Sequence, residues 1–504
     1  GLIIKLIVEV RVFSCALKHM KKNIAIIGSG FSSLSAACYL AKAGHNVTIY
    51  EKNDALGGRA RQFKAEGFTF DMGPSWYWMP DVFDKFFNDF GKKVSDYFTL
   101  TKLSPAYRVY FGKDDFIDIE DSPEKICKKF ESIEKGSGEK LKKYLKIAKE
   151  NYEIGVTDML YKMPGNSPLE LVSKKTIKRV RFFLSNIRKD VRRDFKNPKL
   201  RSILEFPVLF LGAKASNTPA FYNFMNYADF GIGTFQPPNG FHDLVNAMVD
   251  LGKSFGVKYK VNHELSKINV RNKKVENIVI NGKSTDCDLI LSGADYHHTE
   301  SLLPIKCRQY NNKYWKSRVF APSSLLFYVG FNKKLKNVQH HNLIFDTDFN
   351  KHAEEIYDSP KWPTDPLFYA NFTSKTNNKT APEGSENAFF LIPIAIDLID
   401  NEETRDRYFE KIIKKMELYT GQELKDSITY KRSFCVNDFK DQYNSYGGNA
   451  YGLANTLFQT AFLRPNIKSK LVQNLYFCGQ LTVPGPGVPP AVVSGELVAN
   501  LINK

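Results

Sequence analysis

The residues with the clearest chemical purpose lie between Ile24 and Arg59. An apolar run over 24–27 reads as a buried strand and ends at Gly28-Ser29-Gly30. Glycine at 28 and 30 permits a tight turn and lets backbone come close to a pyrophosphate. The helix expected from about 32 to 42 turns its free N–H groups and positive dipole end toward the same phosphates. Gly44 ends that helix, 47–50 reads as a second strand, and Glu51 stands 23 residues after Gly28, where a carboxylate can bond ribose hydroxyls. Gly57-Gly58-Arg59 follows, a combination that favours FAD over NAD. Ser33 replaces the third glycine of G-x-G-x-x-G, so helix and strand must pack around a small hydroxyl. Strand, helix, carboxylate and Gly-Gly-Arg in one register point to a dinucleotide site rather than a structural turn.

Two further stretches carry the marks of ligand contact. Residues 67–75 form a strand ending in a turn at Gly73-Pro74-Ser75, and Trp76-Tyr77-Trp78-Met79 comes next. Proline and glycine there allow close backbone approach, and Trp76 and Trp78 are candidates to line a cavity. Near the C-terminus a strand over 474–478 stops at Gly479-Gln480, and Pro484-Gly485-Pro486-Gly487-Val488 feeds a closing helix over 491–502. A backbone-rich loop leading into a helix N-terminus is a second place to hold an electron-rich group, plausible for the flavin end of FAD. Aromatic and aliphatic residues gather again over 205–212 and 221–230, where Phe206, Phe210, Tyr222, Phe224 and Tyr227 are candidate channel residues.

A chain of 504 residues is long for one core, and two or three substructures are expected. The composition is that of an ordered protein, 43% hydrophobic and 25% charged. Seven cysteines, odd in number and never spaced C-x-x-C, argue against a disulfide framework or zinc site and for a reducing compartment. No run of 18 apolar residues exists to span a bilayer as a helix. Residues 1–19 read as a leader or upstream translated segment, because Met20-Lys21-Lys22 directly precedes the first strand. His297-His298 and His340-His341 are paired, but no third ligand stands at useful spacing, so a solvated or structural role is expected and no metal.

The net charge of +18 is concentrated. Residues 174–201 hold twelve Lys and Arg, among them Lys174, Lys175, Lys178, Arg179, Arg181, Arg188, Arg192 and Arg193, against Asp190 and Asp194. Val180, Leu184, Ile187, Val191 and Phe195 recur at helical spacing in the same stretch, which predicts one amphipathic helix with a cationic face. Such a helix either covers a core or lies on an anionic membrane surface; nucleic-acid binding is not expected, since no matching fold or motif accompanies the charge.

Strand-and-helix grammar returns after Pro237-Pro238-Asn239-Gly240, with strands expected over 258–261, 265–268, 275–280 and 289–292, and a second sheet over 323–331, 343–346, 367–372 and 388–396. The fold class is therefore α/β. A Rossmann-like FAD-binding domain, discontinuous over 20–80, 235–300 and 465–504, carries an inserted α+β substrate domain over 301–464. A largely helical, basic, membrane-facing region is expected over 81–234.

Phe70–Ser75, Leu103–Arg108, Ser292–Tyr296, Ala381–Gly384 and Tyr476–Pro490, joined to Glu51 and Gly57-Gly58-Arg59, resemble the flavin amine oxidase and carotenoid desaturase superfamily. More narrowly, the chain resembles bacterial-type phytoene desaturases of the kind found in Bacteroidetes. The likeness runs from Met20 to the C-terminus. It departs at Gln480, Leu481 and Val483, where the wider family reads Gly-Ala-Gly-Thr-His-Pro-Gly. The resemblance implies FAD as cofactor and a phytoene-like carotenoid as substrate, desaturated by hydride transfer to flavin N5 with proton loss from the neighbouring carbon. Oxygen or a quinone would be the electron acceptor. It also implies Arg59 at the pyrophosphate, Glu51 at the ribose, the strand beginning at Leu265 near the adenine, and Gly73-Pro74 with Gly487-Val488 flanking the flavin ring. The proton acceptor stays open. At ~0.8 kcal/mol per CH2, a long hydrocarbon does not leave a bilayer for water, which favours the basic segment as a docking surface and a cytoplasmic, peripheral location on the inner face of the membrane. A hydroxycarotenoid 3,4-desaturase, a carotenoid isomerase and a prenyl-binding escort of the same fold remain as alternatives.

Overall fold

The computed structural model describes residues 21–162 and 179–504. Strand β1 (Asn23–Ile27), helix α1 (Phe31–Lys42) and strand β2 (Asn46–Tyr50) follow the pattern expected of 23–51. β1 is buried from Ile24 to Ile27 because it is the centre of a five-stranded parallel sheet, where both faces are covered. β2 and Lys258–Lys260 extend the sheet on one side of β1, and Leu289–Ser292 and Leu475–Phe477 on the other. Consecutive strands thus run outward from β1 in one direction, and later ones return on the opposite side. The switch falls between β1 and Leu289–Ser292, and a crevice at the carboxyl ends of such a strand pair is where open α/β sheets bind ligands. Gly28 and Gly293 sit at those two carboxyl ends.

α1 is packed without large side chains on one face. Ser32, Ser33, Ser35, Ala36 and Ala37 are buried there, and the C-terminal helix Val488–Ile502 crosses so closely that a Cβ on Gly495 would lie 2.3 Å from the Ser32 carbonyl oxygen. This contact ties the last helix of the chain to the first and brings the loop ahead of Val488 over the N-terminus of α1.

The second sheet has seven strands in the order Ile428–Phe434, Ser323–Phe331, Glu386–Ile394, Phe368–Asn371, His341–Ile344, Tyr107–Gly112 and Asp115–Ile119. Ser323–Phe331 is buried along its length, and its side chains alternate between two cores. Leu325, Phe327 and Val329 meet the helix Glu402–Thr420, while Leu326 and Tyr328 face the other way, Tyr328 against the rings of Phe63 and Phe70. The hairpin Tyr107–Ile119 joins this sheet from within the stretch expected to be largely helical, its first strand pairing parallel to His341–Ile344.

The basic segment differs from expectation. Lys174, Lys175 and Lys178 lie outside the described residues. Beyond them the chain forms two short helices, Val180–Leu184 and Ile187–Asp194, instead of one. Ser185 and Asn186 are extended, Asn186 bridges Pro219, and its side chain caps the second helix by accepting the Lys189 N–H at 2.8 Å. The expected stripe is split by this break. Ile187, Val191 and Phe195 are buried, whereas Val180 is 49% and Leu184 81% exposed. The cations are mostly paired within the chain: Arg179 with Glu150, Arg192 with buried Glu205 at 3.0 Å, Arg188 with Glu205 at 3.6 Å, and Arg193 with Asp194 at 2.9 Å. No helix among the described residues is long and apolar enough to cross a membrane.

Candidate functional site

Gly28 takes φ +84°, a left-handed turn that L side chains rarely adopt, and a Cβ there would come 3.3 Å from the Ala294 nitrogen. Gly30 is different. Its φ of −69° suits any residue, and a Cβ there would meet no protein atom within 4 Å. Its smallness therefore serves something other than the fold, because the open space beside it is the cavity that begins at the α1 N-terminus.

Arg59 follows Gly57-Gly58, whose φ values are +112° and +57°. Its guanidinium lies over the Tyr443 ring at 4.9 Å and donates to Ser445 Oγ at 2.9 Å and the Asn449 carbonyl at 3.3 Å. Its Nε is buried without a partner, and among the described residues no carboxylate forms an ion pair with it. Burial pulls its pKa down, and the nearby Tyr443 and Asp295 offset this only in part. Two glycines, a helix N-terminus and a half-buried arginine without an ion pair make a cradle that fits a pyrophosphate.

Glu51 is held more firmly than the sequence suggests. One carboxylate oxygen accepts the Ser29 N–H at 3.0 Å and the Ser29 hydroxyl at 2.7 Å. The other accepts the Asn53 N–H at 2.9 Å and the Asn53 side-chain amide at 3.0 Å. These bonds fill the carboxylate's usual acceptor positions, so a ribose hydroxyl would have to displace one of them.

From this cradle one cavity of about 470 Å³ continues into an apolar end. The expected cofactor residues Gly28, Gly30, Glu51, Gly57, Gly58, Arg59, Gly73, Pro74, Ser75, Leu265, Gly479, Gln480, Gly487 and Val488 all line it. Ser33 does not; it is buried behind the turn, against Gly293. Of the candidate channel residues, Trp76, Trp78, Phe206, Tyr222 and Phe224 line the apolar end, together with Val156, Leu160, Phe345 and Phe349. Tyr227 lies off the cavity wall, with its ring 5.4 Å from that of Tyr152, and the Phe210 side chain lies outside the described residues.

Other residues shape the site from the wall or from behind it, and of these Tyr443, Asn449 and Arg464 are not among those expected from the sequence. Tyr443 to Ala450 close over Arg59, and the signal was present in Tyr446-Gly447-Gly448-Asn449, where both glycines take positive φ. Asp295 caps a short helix by accepting the His298 N–H at 3.1 Å, and burial raises its pKa. Arg464, 3% exposed, donates to the carbonyls of Gln480 and Thr482 at 2.8 and 2.9 Å and to Asn455 Oδ1 at 2.7 Å, pinning the loop after Gly479. His340 and His341 are both buried, not solvated, and His341 stacks on Trp76 with centroids 4.2 Å apart.

The profile of the family "Flavin containing amine oxidoreductase" matches residues 31–503. A carotenoid 3,4-desaturase of Haloarcula japonica is 40% identical over 95% of this chain and 98% of its own length. A 4,4'-diapophytoene desaturase (4,4'-diaponeurosporene-forming) of Staphylococcus haemolyticus is 30% identical over 94% and 97%. In fold, an oxidoreductase crystal structure from Methanosarcina mazei superposes with a TM-score of 0.61 over 95% of this chain and 100% of that one, at 17% identity. The chain belongs to the flavin-containing amine oxidoreductase family, with FAD as its cofactor, and within it stands among the carotenoid desaturases.

Proposed function

We propose that this protein introduces conjugated double bonds into a linear, membrane-dissolved carotene, with phytoene as the substrate. The observation that carries this reading is the continuity of the cavity from the Gly28–Arg59 cradle to a wall of Trp76, Trp78, Phe206 and Phe224. FAD, when bound, would supply a two-electron acceptor for the hydride of an allylic C–H bond. The chain's own residues must bind that cofactor, align a stiff hydrocarbon beside it and keep water out. Gly30 and Arg59 would hold the pyrophosphate, Gly73-Pro74 and the Gly479–Val488 loop would border the ring, and the aromatic end would order the hydrocarbon by contact alone.

The 40% identity to a carotenoid 3,4-desaturase favours a second reading, in which the substrate is a later carotenoid. One experiment separates the two. FAD-loaded protein is mixed without oxygen with vesicles carrying either phytoene or a more desaturated carotene, and flavin colour and product absorption are followed. Bleaching with phytoene and a product of longer conjugation supports the first reading; bleaching with the later carotene alone supports the second. A flavin that keeps its colour with both refutes desaturation, and a change of cis/trans geometry alone would make the protein an isomerase.

Such a substrate has to be drawn from a bilayer. We propose the docking surface around Tyr222, whose hydroxyl bonds Thr460 Oγ1 at 3.0 Å and whose neighbour Phe221 stacks on Phe183 at 4.6 Å. Two segments with outward apolar residues flank it: Val180 and Leu184 on one side, Phe458 and Leu463, 77% and 39% exposed, on the other. Arg181 adds a cation with no ion pair among the described residues, whereas Arg188, Arg192 and Arg193 are held by acids of the same chain. Replacing Leu184 and Phe458 together by glutamate should forfeit about 3 kcal/mol of interfacial burial, roughly a hundredfold in vesicle partition. Arg188→Gln with Arg193→Gln should sediment with anionic vesicles as the wild type does; release by the arginine pair and not by the apolar pair would place the surface elsewhere.

A further inference from the structure

Desaturation releases a proton as well as a hydride, and the imidazole at the hydrocarbon end of the cavity, His352, has both nitrogens engaged: Nδ1 accepts the Leu367 N–H at 3.0 Å and Nε2 donates to the Pro393 carbonyl at 2.8 Å. We infer that Ser75, Tyr369 and His341 form a relay that carries this proton from the cavity wall toward the surface at Thr376. The inference rests on the desaturase reading above.

Ser75 and Tyr369 both line the cavity, directly after the Gly73-Pro74 turn and across from it. Their hydroxyl oxygens are 2.9 Å apart, and the Tyr369 oxygen is 2.6 Å from His341 Nδ1. The direction of donation follows from a third residue. The Asn371 amide accepts from Thr373 Oγ1 through its oxygen at 3.1 Å, so its nitrogen is the group that faces His341 Nδ1 at 3.2 Å. An amide nitrogen only donates, which assigns Nδ1 as acceptor and places the ring proton on Nε2. Tyr369 then donates to Nδ1 and accepts from Ser75.

A proton arriving at Ser75 Oγ therefore moves in two hops. Ser75 passes its own proton to Tyr369, Tyr369 passes its proton to Nδ1, and both hydroxyls end as they began. On the substrate, the broken C–H bond leaves its electron pair as the second bond of the new alkene. The hydride lost from the neighbouring carbon goes to the flavin, the oxidant of this family.

His341 is fit to receive and then release. It is fully buried, and its ring is clamped flat against Trp76 at an interplanar angle of 9°. The titratable groups that face it are His340 and Tyr369. Burial and the neighbouring His340 keep it neutral, so Nδ1 is unprotonated and already accepts from Tyr369 at the start of each turnover, and the charged form is unstable enough to pass its proton on. His340 is the way out. Its ring meets His341 at 4.4 Å between centroids, and its Nδ1 is 2.8 Å from the hydroxyl of exposed Thr376. Between the two imidazoles no hydrogen bond is formed and each Nε2 is buried without a partner, so passage there needs one ring to turn.

The test uses the FAD-loaded full chain, wild type and Tyr369→Phe, reduced without oxygen by carotene-loaded vesicles in H2O and in D2O. The wild type should bleach more slowly in D2O. Tyr369→Phe should bleach about a hundredfold more slowly and lose the solvent isotope effect, with flavin content and melting temperature unchanged. His341→Gln should behave alike; if it fails to fold, Tyr369→Phe decides. Independently of turnover, the 15N spectrum of labelled histidine should show His341 Nδ1 as a hydrogen-bonded acceptor that shifts in Tyr369→Phe. Wild-type rate and isotope effect in Tyr369→Phe, or a proton found on Nδ1, would overturn the relay. A wild-type flavin that never bleaches, with Nδ1 still an acceptor, would overturn the desaturase reading instead.

Discussion

Gly30→Leu is expected to give a folded, colourless protein. The backbone at 30 has φ −69° and ψ 171°, which leucine adopts without strain, and no protein atom lies within 4 Å of the added Cβ. Gly30 is the N-cap of α1 and makes no side-chain cap bond, so the change costs the helix under about 1 kcal/mol. The isobutyl group would instead occupy the space in front of the α1 N–H groups, where the pyrophosphate approaches. The expected readouts are near-zero flavin absorbance per chain after dialysis against FAD, and a melting temperature equal to that of FAD-free wild type. Added FAD should raise the melting temperature of the wild type alone, because only a protein that binds the ligand gains from it. Gly28→Leu is the contrast. With φ +84° and the Ala294 backbone 3.3 Å from its Cβ, it should melt lower even without cofactor. A yellow Gly30→Leu protein would remove Gly30 from the site.

The two glycines differ in a way the sequence alone does not reveal, and that difference marks how far a sequence can be read. β1, α1, β2 and Glu51 follow one another within thirty residues, and their pattern is local: an apolar run, a glycine turn, a helical period. Their ends lie within a residue or two of expectation for that reason, whereas the closing helix starts at Val488, three residues before expectation, because prolines at 489 and 490 fit its first turn. Which residues meet across long separations is another matter. The pairing of Tyr107–Gly112 with His341–Ile344 joins segments more than two hundred residues apart, and nothing in either segment names the other. Likewise Arg59 finds Ser445 and Asn449, and Ser75 finds Tyr369 and His341, only through the second sheet. The basic segment shows the converse. Its apolar period was real, but Asn186 is a capping residue, and a cap at 186 with a bridge to Pro219 outweighs helix continuation there.

Ser33 carries the same lesson into energetics. The third glycine of a dinucleotide fingerprint lets helix and strand approach closely, and this chain has a hydroxyl at that position. The room lies on the other side of the contact. A Cβ on Gly293, the residue after the strand Leu289–Ser292, would lie 2.0 Å from Ser33 Oγ and 3.3 Å from both Ser33 Cβ and Cys478 Sγ. Gly293 does not take a positive φ, so alanine there is conformationally acceptable and its penalty is the collision alone. Both residues are anchored, Gly293 by donating its N–H to the Ile27 carbonyl at 2.9 Å and Ser33 by its place inside α1 with no exposure. Gly293→Ala should therefore destabilise the FAD-free protein by about 1–3 kcal/mol through overpacking and lower FAD retention with it, since Gly28 and Gly293 share the carboxyl-end crevice. Ser33→Gly removes the colliding atoms and a buried hydroxyl without a hydrogen bond, against about 1 kcal/mol of helix propensity, and alone should be close to neutral. Combined with Gly293→Ala it should recover most of the lost stability, a coupling of about 1–3 kcal/mol between the two positions. Melting temperatures of the four proteins of this cycle measure it. If the double variant is as unstable as the sum of the singles, the strand and helix are not in contact through this pair, and the tolerance of serine in the fingerprint must come from somewhere other than Gly293.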